Sequence, residues 1–225
     1  MTVIKICGIM TLEDGLAAAD AGADLIGLNF YRKSPRFMER DEAALIAAAM
    51  REQLGAACPI FVGLFVNEAV GMISRTMEQV GFRAVQLSGD ESPEMLRELR
   101  GTAYKGIRPR TPAEAAADAA LFAPFGPEDR RLPSLLVDAY HPSLYGGTGE
   151  SAAADVFAAA AAPRVMLAGG LTPANVANRV VALKPWGVDV ASGIEVEGQP
   201  GRKDAAKMRA FVQAVRGDLA SSPRT

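Results

Sequence analysis

The chain has 225 residues, enough for one sizeable core and too few to make two full domains. Apolar residues make up 49% and charged residues 22%, and a net charge of -2 without a basic patch or long acidic run argues against a nucleic-acid or membrane-surface partner. No apolar stretch reaches the ~18 residues of a bilayer span, the N-terminus has no signal-peptide pattern, and two cysteines, Cys7 and Cys58, make no disulfide framework, so free thiols in a reducing cytoplasm are expected.

One unit recurs along the chain: a short β-type run, a turn, then an Ala/Leu-rich amphipathic segment. The first strand is expected over 3–7, ending on Cys7-Gly8, and its helix over 12–21, where Thr11 and Asp14 have the spacing of a capping box. Strands over 25–29 and 60–66 follow, with helices over 42–54 and 69–80. The fourth and fifth units place strands over 84–87 and 103–108 and helices over 93–99 and 112–122. Ser92-Pro93 and Thr111-Pro112 each read as a hydroxyl N-cap before a proline in the first turn. A longer loop rich in proline and charge spans 123–133. Strands over 135–138, 165–168 and 188–191 then alternate with helices over 152–161, 173–183 and 204–215, with Thr172-Pro173 read as a third hydroxyl-proline start. Residues 217–225 are expected as a flexible tail.

Eight such pairs in one domain over 1–225 point to an α/β protein, a parallel (β/α)8 TIM barrel near the short end of its size range. A doubly wound open sheet uses the same unit, but the count of eight and the absence of a dinucleotide-binding glycine pattern after the first strand favour the barrel.

Active sites of such barrels lie at the C-terminal ends of the strands. The polar residues and glycines that fall there are Cys7, Asn29, Ser88, Arg108, Asp138, Gly169-Gly170 and Ser192-Gly193. Strand alternation puts Val3, Lys5 and Cys7 on one face, Gln86 and Ser88 on one face, Leu136 and Asp138 on one face, and Asp189 with Ala191. Period alone does not say which face is inward. Cys7 taken alone is more often a small buried hydrophobe. Asp138 closes an apolar strand, where an unpaired carboxylate would be costly, or it caps the loop that follows. The glycine pairs after the seventh and eighth strands, joined by Gly146-Gly147-Thr148-Gly149, can turn backbone N–H groups toward an anion, at the loops where such barrels commonly bind phosphate. Arg36, in Ser34-Pro35-Arg36, has the fork geometry for a carboxylate or phosphate, or is a solvated surface arginine. His141, the single histidine, reads as a loop residue. No cluster has metal-ligand spacing.

Assembled, the segments resemble the phosphoribosylanthranilate isomerase family nearly end to end. The resemblance runs through Lys5-Ile6-Cys7-Gly8-Ile9, Gly27-Leu28-Asn29-Phe30, Ser34-Pro35-Arg36, Gly63-Leu64-Phe65-Val66-Asn67, Val85-Gln86-Leu87, Val137-Asp138, Tyr145-Gly146-Gly147-Thr148-Gly149, Leu167-Ala168-Gly169-Gly170-Leu171, and Val188 to Glu195 with Pro200-Gly201-Arg202-Lys203-Asp204. It implies a cofactor-free Amadori rearrangement in tryptophan biosynthesis, acting on a small phosphorylated substrate. It implies Asp138 as general acid at the furanose ring oxygen and Cys7 as general base at ribose carbon 2. Arg36 would take the anthranilate carboxylate. Gln86, Gly147, Gly169, Gly170, Ser192 and Gly193 would complete the substrate site, the glycine loops holding the phosphate. No metal is implied, and the state is a monomer or a homodimer.

A free carboxyl titrates near pH 4 and a free thiol near 8.5, each on the wrong side of neutral for these roles. Burial of the carboxyl and a cation or N–H donors at the sulfur would correct them. Lys5 is one such cation, or it pairs with Asp189 across the barrel. The sequence departs from the family at Ser88, where a histidine is common, and at Glu150-Ser151-Ala152-Ala153, where a lysine and an aromatic are usual. These departures alter the anthranilate half of the pocket and keep two other readings open. One is an isomerase or epimerase of a different phosphorylated sugar, the other a non-catalytic binder of a phosphate ligand.

Overall fold

The structure, a computed structural model, describes residues 1–138 and 149–221. Eight parallel strands close on themselves in chain order: β1 (Val3–Cys7), β2 (Leu25–Asn29), β3 (Ile60–Phe65), β4 (Ala84–Leu87), β5 (Ala103–Ile107), β6 (Leu135–Asp138), β7 (Val165–Ala168) and β8 (Gly187–Val190). The helices between them are α1 (Leu12–Ala21), α2 (Arg40–Leu54), α3 (Val70–Val80), α4 (Pro93–Glu98), α5 (Pro112–Phe122), α6 (Gly149–Ala159), α7 (Val176–Leu183) and α8 (Ala205–Ser221). The expected (β/α)8 barrel is therefore the observed one.

Two apolar clusters explain why these segments fold this way. The outer one packs the outward strand residues, such as Ile4, Ile6, Ile26, Val85, Leu87, Val137 and Val188, against buried helix positions including Ala18, Ala47, Met50, Ile73 and Phe211. The inner one fills the barrel with Leu25, Val62, Ala84, Tyr104, Leu136 and Met166. Alternation along each strand sorts residues between the two, as the pleat requires. Val3, Lys5 and Cys7 thereby fall on the inward face of β1, and Leu136 and Asp138 on that of β6.

The barrel interior carries a buried polar layer. Lys5 Nζ donates to Gln86 Oε1 at 2.7 Å and to Asp189 Oδ1 at 3.2 Å. Tyr104 OH donates to the same Gln86 oxygen at 3.0 Å, and Gln86 Nε2 donates to Ser88 Oγ at 3.0 Å. Lys5 and Asp189 are partners on hydrogen-bonded neighbouring strands, not across the barrel as expected, because closure sets β1 beside β8 in the register Lys5↔Asp189.

Helix starts agree with the sequence reading at Thr11 and Thr111, whose hydroxyls accept from Asp14 N and Glu114 N. Asp14 returns no bond to Thr11; its carboxylate accepts from the Lys203 backbone instead. Ser92 stands at the N-cap of α4 but makes no side-chain cap bond. Thr172-Pro173 does not start α7. Asn175 Oδ1 accepts from Thr172 N at 2.8 Å, and the resulting turn delays the helix to Val176. Part of the proline-rich loop is a short 3-10 turn, Ala123–Phe125. The last helix runs to Ser221, over part of the segment expected as a tail; residues 222–225 lie outside the described residues.

Candidate active site

A cavity of about 640 Å³ opens at the C-terminal ends of the strands, where the loops that follow them converge. Cys7, Arg36, Gln86, Asp138, Gly169, Gly170, Ser192 and Gly193 all line it. Gly147, like His141, lies outside the described residues.

Cys7 ends β1 with its thiol inside the barrel mouth, 5% exposed. Gly27 on the neighbouring strand makes room for it, since a Cβ there would come within 2.7 Å of Sγ. Burial pushes the thiol up; Lys5 and Lys203 pull it down, Asp189 adds to the upward push, and the net direction is up. Backbone donors are not the corrective influence on the sulfur. The N–H groups of Gly8 and Ile9 both donate to the Gly27 carbonyl, at 2.9 and 3.1 Å. The cations do that work, and Lys5 is firmly one. Burial works against its charge, but the Asp189 carboxylate beside it outweighs burial and the ammonium is raised above its ordinary value.

Asp138 ends β6 at the cavity lip. Its carboxylate is not buried, as the sequence suggested, but 31% exposed at the end of β6. Arg108, following β5, approaches it with Nε 3.5 Å from Oδ2. The guanidinium itself is 68% exposed, so this pair is partly solvated.

Arg36 sits on the loop after β2. Asn29 and Ser34 build that turn: Asn29 Oδ1 accepts from Tyr31 N, Asn29 Nδ2 donates to Ser34 Oγ, and Ser34 Oγ accepts from Arg36 N. The Arg36 stem crosses Gly8, whose φ is +77°, and a Cβ at Gly8 would meet Arg36 Cδ at 2.5 Å. Its Nε and Nη2 both donate to Glu195, each at 2.7 Å. Lys203 Nζ donates to the same carboxylate at 3.0 Å and to the Ala191 carbonyl at 3.0 Å. Arg36 is therefore no solvated surface arginine.

The glycine loops meet on the other side. Gly169 and Gly170 take φ values of +96° and +63°, in the left-handed region that favours glycine. Asn175 Nδ2 donates to the Gly170 carbonyl at 2.9 Å and pins that loop. At Gly193 a Cβ would run into the Leu171 carbonyl oxygen, so the loops after β7 and β8 back onto each other through glycine.

Residues 4–214 match the family described as N-(5'phosphoribosyl)anthranilate (PRA) isomerase. The chain belongs to the N-(5'-phosphoribosyl)anthranilate isomerase family. An isomerase of this name from Geobacter sp. strain M21 is 42% identical, over 94% of this chain and 97% of its own. The one from Myxococcus xanthus is 41% identical, over 95% of each. Among solved structures, phosphoribosyl anthranilate isomerase from Thermotoga maritima superposes with a TM-score of 0.80 at 31% identity, over 96% of this chain and all of that one. Another, at 0.76 and 30% identity over 96% and 100%, is a complex of the isomerase with reduced 1-(o-carboxyphenylamino)-1-deoxyribulose 5-phosphate.

Within this isomerase site, Gln86 lines the cavity but its amide is committed to the barrel interior. Its oxygen accepts from Lys5 and Tyr104 and one of its N–H groups donates to Ser88. The sequence reading missed the partners more than the principals. Glu195 and Lys203 were visible only as letters of the Ser-Gly-Ile-Glu and Pro-Gly-Arg-Lys-Asp motifs, with nothing to say that they meet Arg36. Arg108 was visible as the polar residue ending the fifth expected strand, the same signal that marked Cys7.

Proposed function

We propose that the cavity carries out the isomerisation of N-(5'-phosphoribosyl)anthranilate with Cys7 as general base and Asp138 as general acid. The activity itself follows from family membership: an aldose–ketose isomerisation in tryptophan biosynthesis. Relatives of about four-in-ten identity along nearly the whole chain carry that one name, which favours this reading over another phosphorylated sugar or a non-catalytic binder. The division of labour rests on Cys7 and Asp138 lining one cavity from strands β1 and β6.

The substrate phosphate sits against the Gly169-Gly170 and Ser192-Gly193 backbones, and its anthranilate carboxylate against Arg36. Asp138 protonates the furanose ring oxygen as the C1–O bond breaks, its electron pair going to oxygen while the anilino nitrogen forms the C1=N bond of a protonated Schiff base. Cys7, as thiolate, removes the proton from C2, and those electrons form the C1=C2 bond and neutralise the nitrogen. The resulting enolamine gains a proton at C1 and loses the C2 hydroxyl proton, giving the aminoketone. Each step is a proton transfer, which is work that positioned side chains supply. Lys5 and Lys203 favour the thiolate that the second step needs.

The test uses the loss of anthranilate fluorescence as substrate is consumed. Cys7→Ala and Asp138→Asn should each lower kcat by about 10²- to 10⁴-fold with far-UV circular dichroism unchanged. Full activity in either variant removes the role given to that residue. A cytoplasmic location belongs to the same reading and is supported by two free cysteines; no helix among the described residues is long and apolar enough to cross a membrane. Monomer and homodimer are both open to this fold, since one similar structure is described as monomers generated from a dimeric isomerase of Thermotoga maritima.

A further inference from the structure

We propose that Glu195 is the positioning residue of the carboxylate subsite, aiming the free edge of the Arg36 guanidinium into the cavity. The inference rests on the reading of Arg36 as the carboxylate anchor and adds what makes it one.

A guanidinium has two edges that can each grip a carboxylate. In Arg36 the Nε–Nη2 edge is taken by Glu195, with both bonds at 2.7 Å. The outer edge, carrying Nη1 and the second N–H of Nη2, is the one left for an incoming carboxylate. A long arginine side chain otherwise samples many rotamers, and ordering it on binding would weaken affinity. Here three contacts order it beforehand: the Glu195 fork, the stem lying over Gly8, and the Ser34 bond to the Arg36 backbone.

Glu195 is itself held. It is 7% exposed, and its Oε1 also accepts from the buried Lys203. Its backbone carbonyl accepts from Lys207 Nζ at 2.8 Å, and a bridge pairs Glu195 with Lys203 across the loop after β8. Gly201, at φ +94°, brings that loop to the Pro35 carbonyl, where a Cβ would come within 3.1 Å. The loops after β2 and β8 thus form one unit around Arg36.

The charges also fit. Arg36 and Lys203 are cations and Glu195 is an anion, so the cluster keeps a net charge of one positive. An arginine neutralised by glutamate alone would present no net charge to the substrate. With Lys203 behind it, the same arginine is both aimed and still attractive to a carboxylate.

The experiment separates the two halves of the site with two competing inhibitors, anthranilate for the carboxylate half and inorganic phosphate for the other. In Glu195→Ala the KM should rise at least tenfold while kcat stays within about threefold, because the lost contact serves ground and transition states alike. The inhibition constant for anthranilate should rise in step, and that for phosphate should stay within twofold. Glu195→Gln, which keeps the shape and loses the charge, should fall between; Glu195→Asp, too short to span the fork, should resemble Ala. Arg36→Met run in parallel must weaken anthranilate. If it does not, the Arg36 assignment fails. If it does while the Glu195 variants bind anthranilate normally, the positioning role is overturned. Equal weakening of both inhibitors also overturns it, since general damage to the loops would do that. If Glu195→Ala does not fold, the Gln and Asp variants decide by the same criteria.

Discussion

At Cys7 two demands conflict. The proposed base must lose its proton, yet its pocket is closed enough that burial raises the thiol above its ordinary value, with Lys5 and Lys203 pulling the other way. In the empty enzyme it is therefore a thiol near neutral pH. In a Cys58→Ser background, its alkylation by iodoacetamide should be slower at pH 7 than that of a free thiol, and should climb with pH to a midpoint above that of a free thiol. A midpoint at or below neutrality contradicts this account. The limb of kcat/KM that belongs to the base should rise in the same direction, from neutral into alkaline pH. The sign for stability follows. A group whose folded pKa is raised stabilises fully below its ordinary pKa and loses that contribution as pH rises through the raised value. Cys7 then becomes less favourable to the fold at alkaline pH. This residue was legible in the sequence because a thiol at a strand end is chemically unusual. Of the cations that act on it, Lys5 was legible on the same strand face, and Lys203 was not, because it lies far along the chain in the loop after β8.

Among the elements, β1, β4, β5 and β8 are tied by one buried polar layer. Lys5 is fully buried, and it and its partners Gln86 and Tyr104 form their bonds inside the barrel. Removing one member of a buried pair leaves an uncompensated charge, a loss of about 3–5 kcal/mol. Lys5→Met should lower the urea-unfolding free energy by about that amount, by exposing Asp189 to burial without its partner. Adding Asp189→Leu should restore most of the loss, because no charge is then left buried without its partner while Gln86 still accepts from Tyr104. Failure of the second change to recover stability would mean the pair is not the source of the cost. Strand patterning announced that Val3, Lys5 and Cys7 share a face, and Gln86 with Ser88, but it left the direction of that face open. The helix starts show the same limit. Thr11 and Thr111 cap as their spacing indicates, since the cap involves only residues three apart. The identical signal at Thr172-Pro173 is overridden by Asn175, whose side chain turns back on Thr172.

Over the whole molecule, closure of the barrel places β1 beside β8, and α8 packs its buried Met208, Phe211, Val212 and Val215 against the same core that receives Ile4 and Ile6. Phe211→Ala should therefore cost about 3–5 kcal/mol. The loss should appear as one transition, with Trp186 fluorescence and far-UV circular dichroism shifting together; separate transitions would show that the last helix melts on its own. The sequence by itself determined the eight β/α units, the strand-end positions of Cys7 and Asp138, and the glycine pairs after β7 and β8. These are local properties, carried by alternation, turn chemistry and the lack of a side chain. Only the tertiary structure decided which face points inward, that the Asp138 carboxylate stands partly open beside Arg108, and that Arg36 is gripped by Glu195 159 positions away. Those depend on closure and strand register, which bring distant residues together, and no pattern within a single segment encodes them.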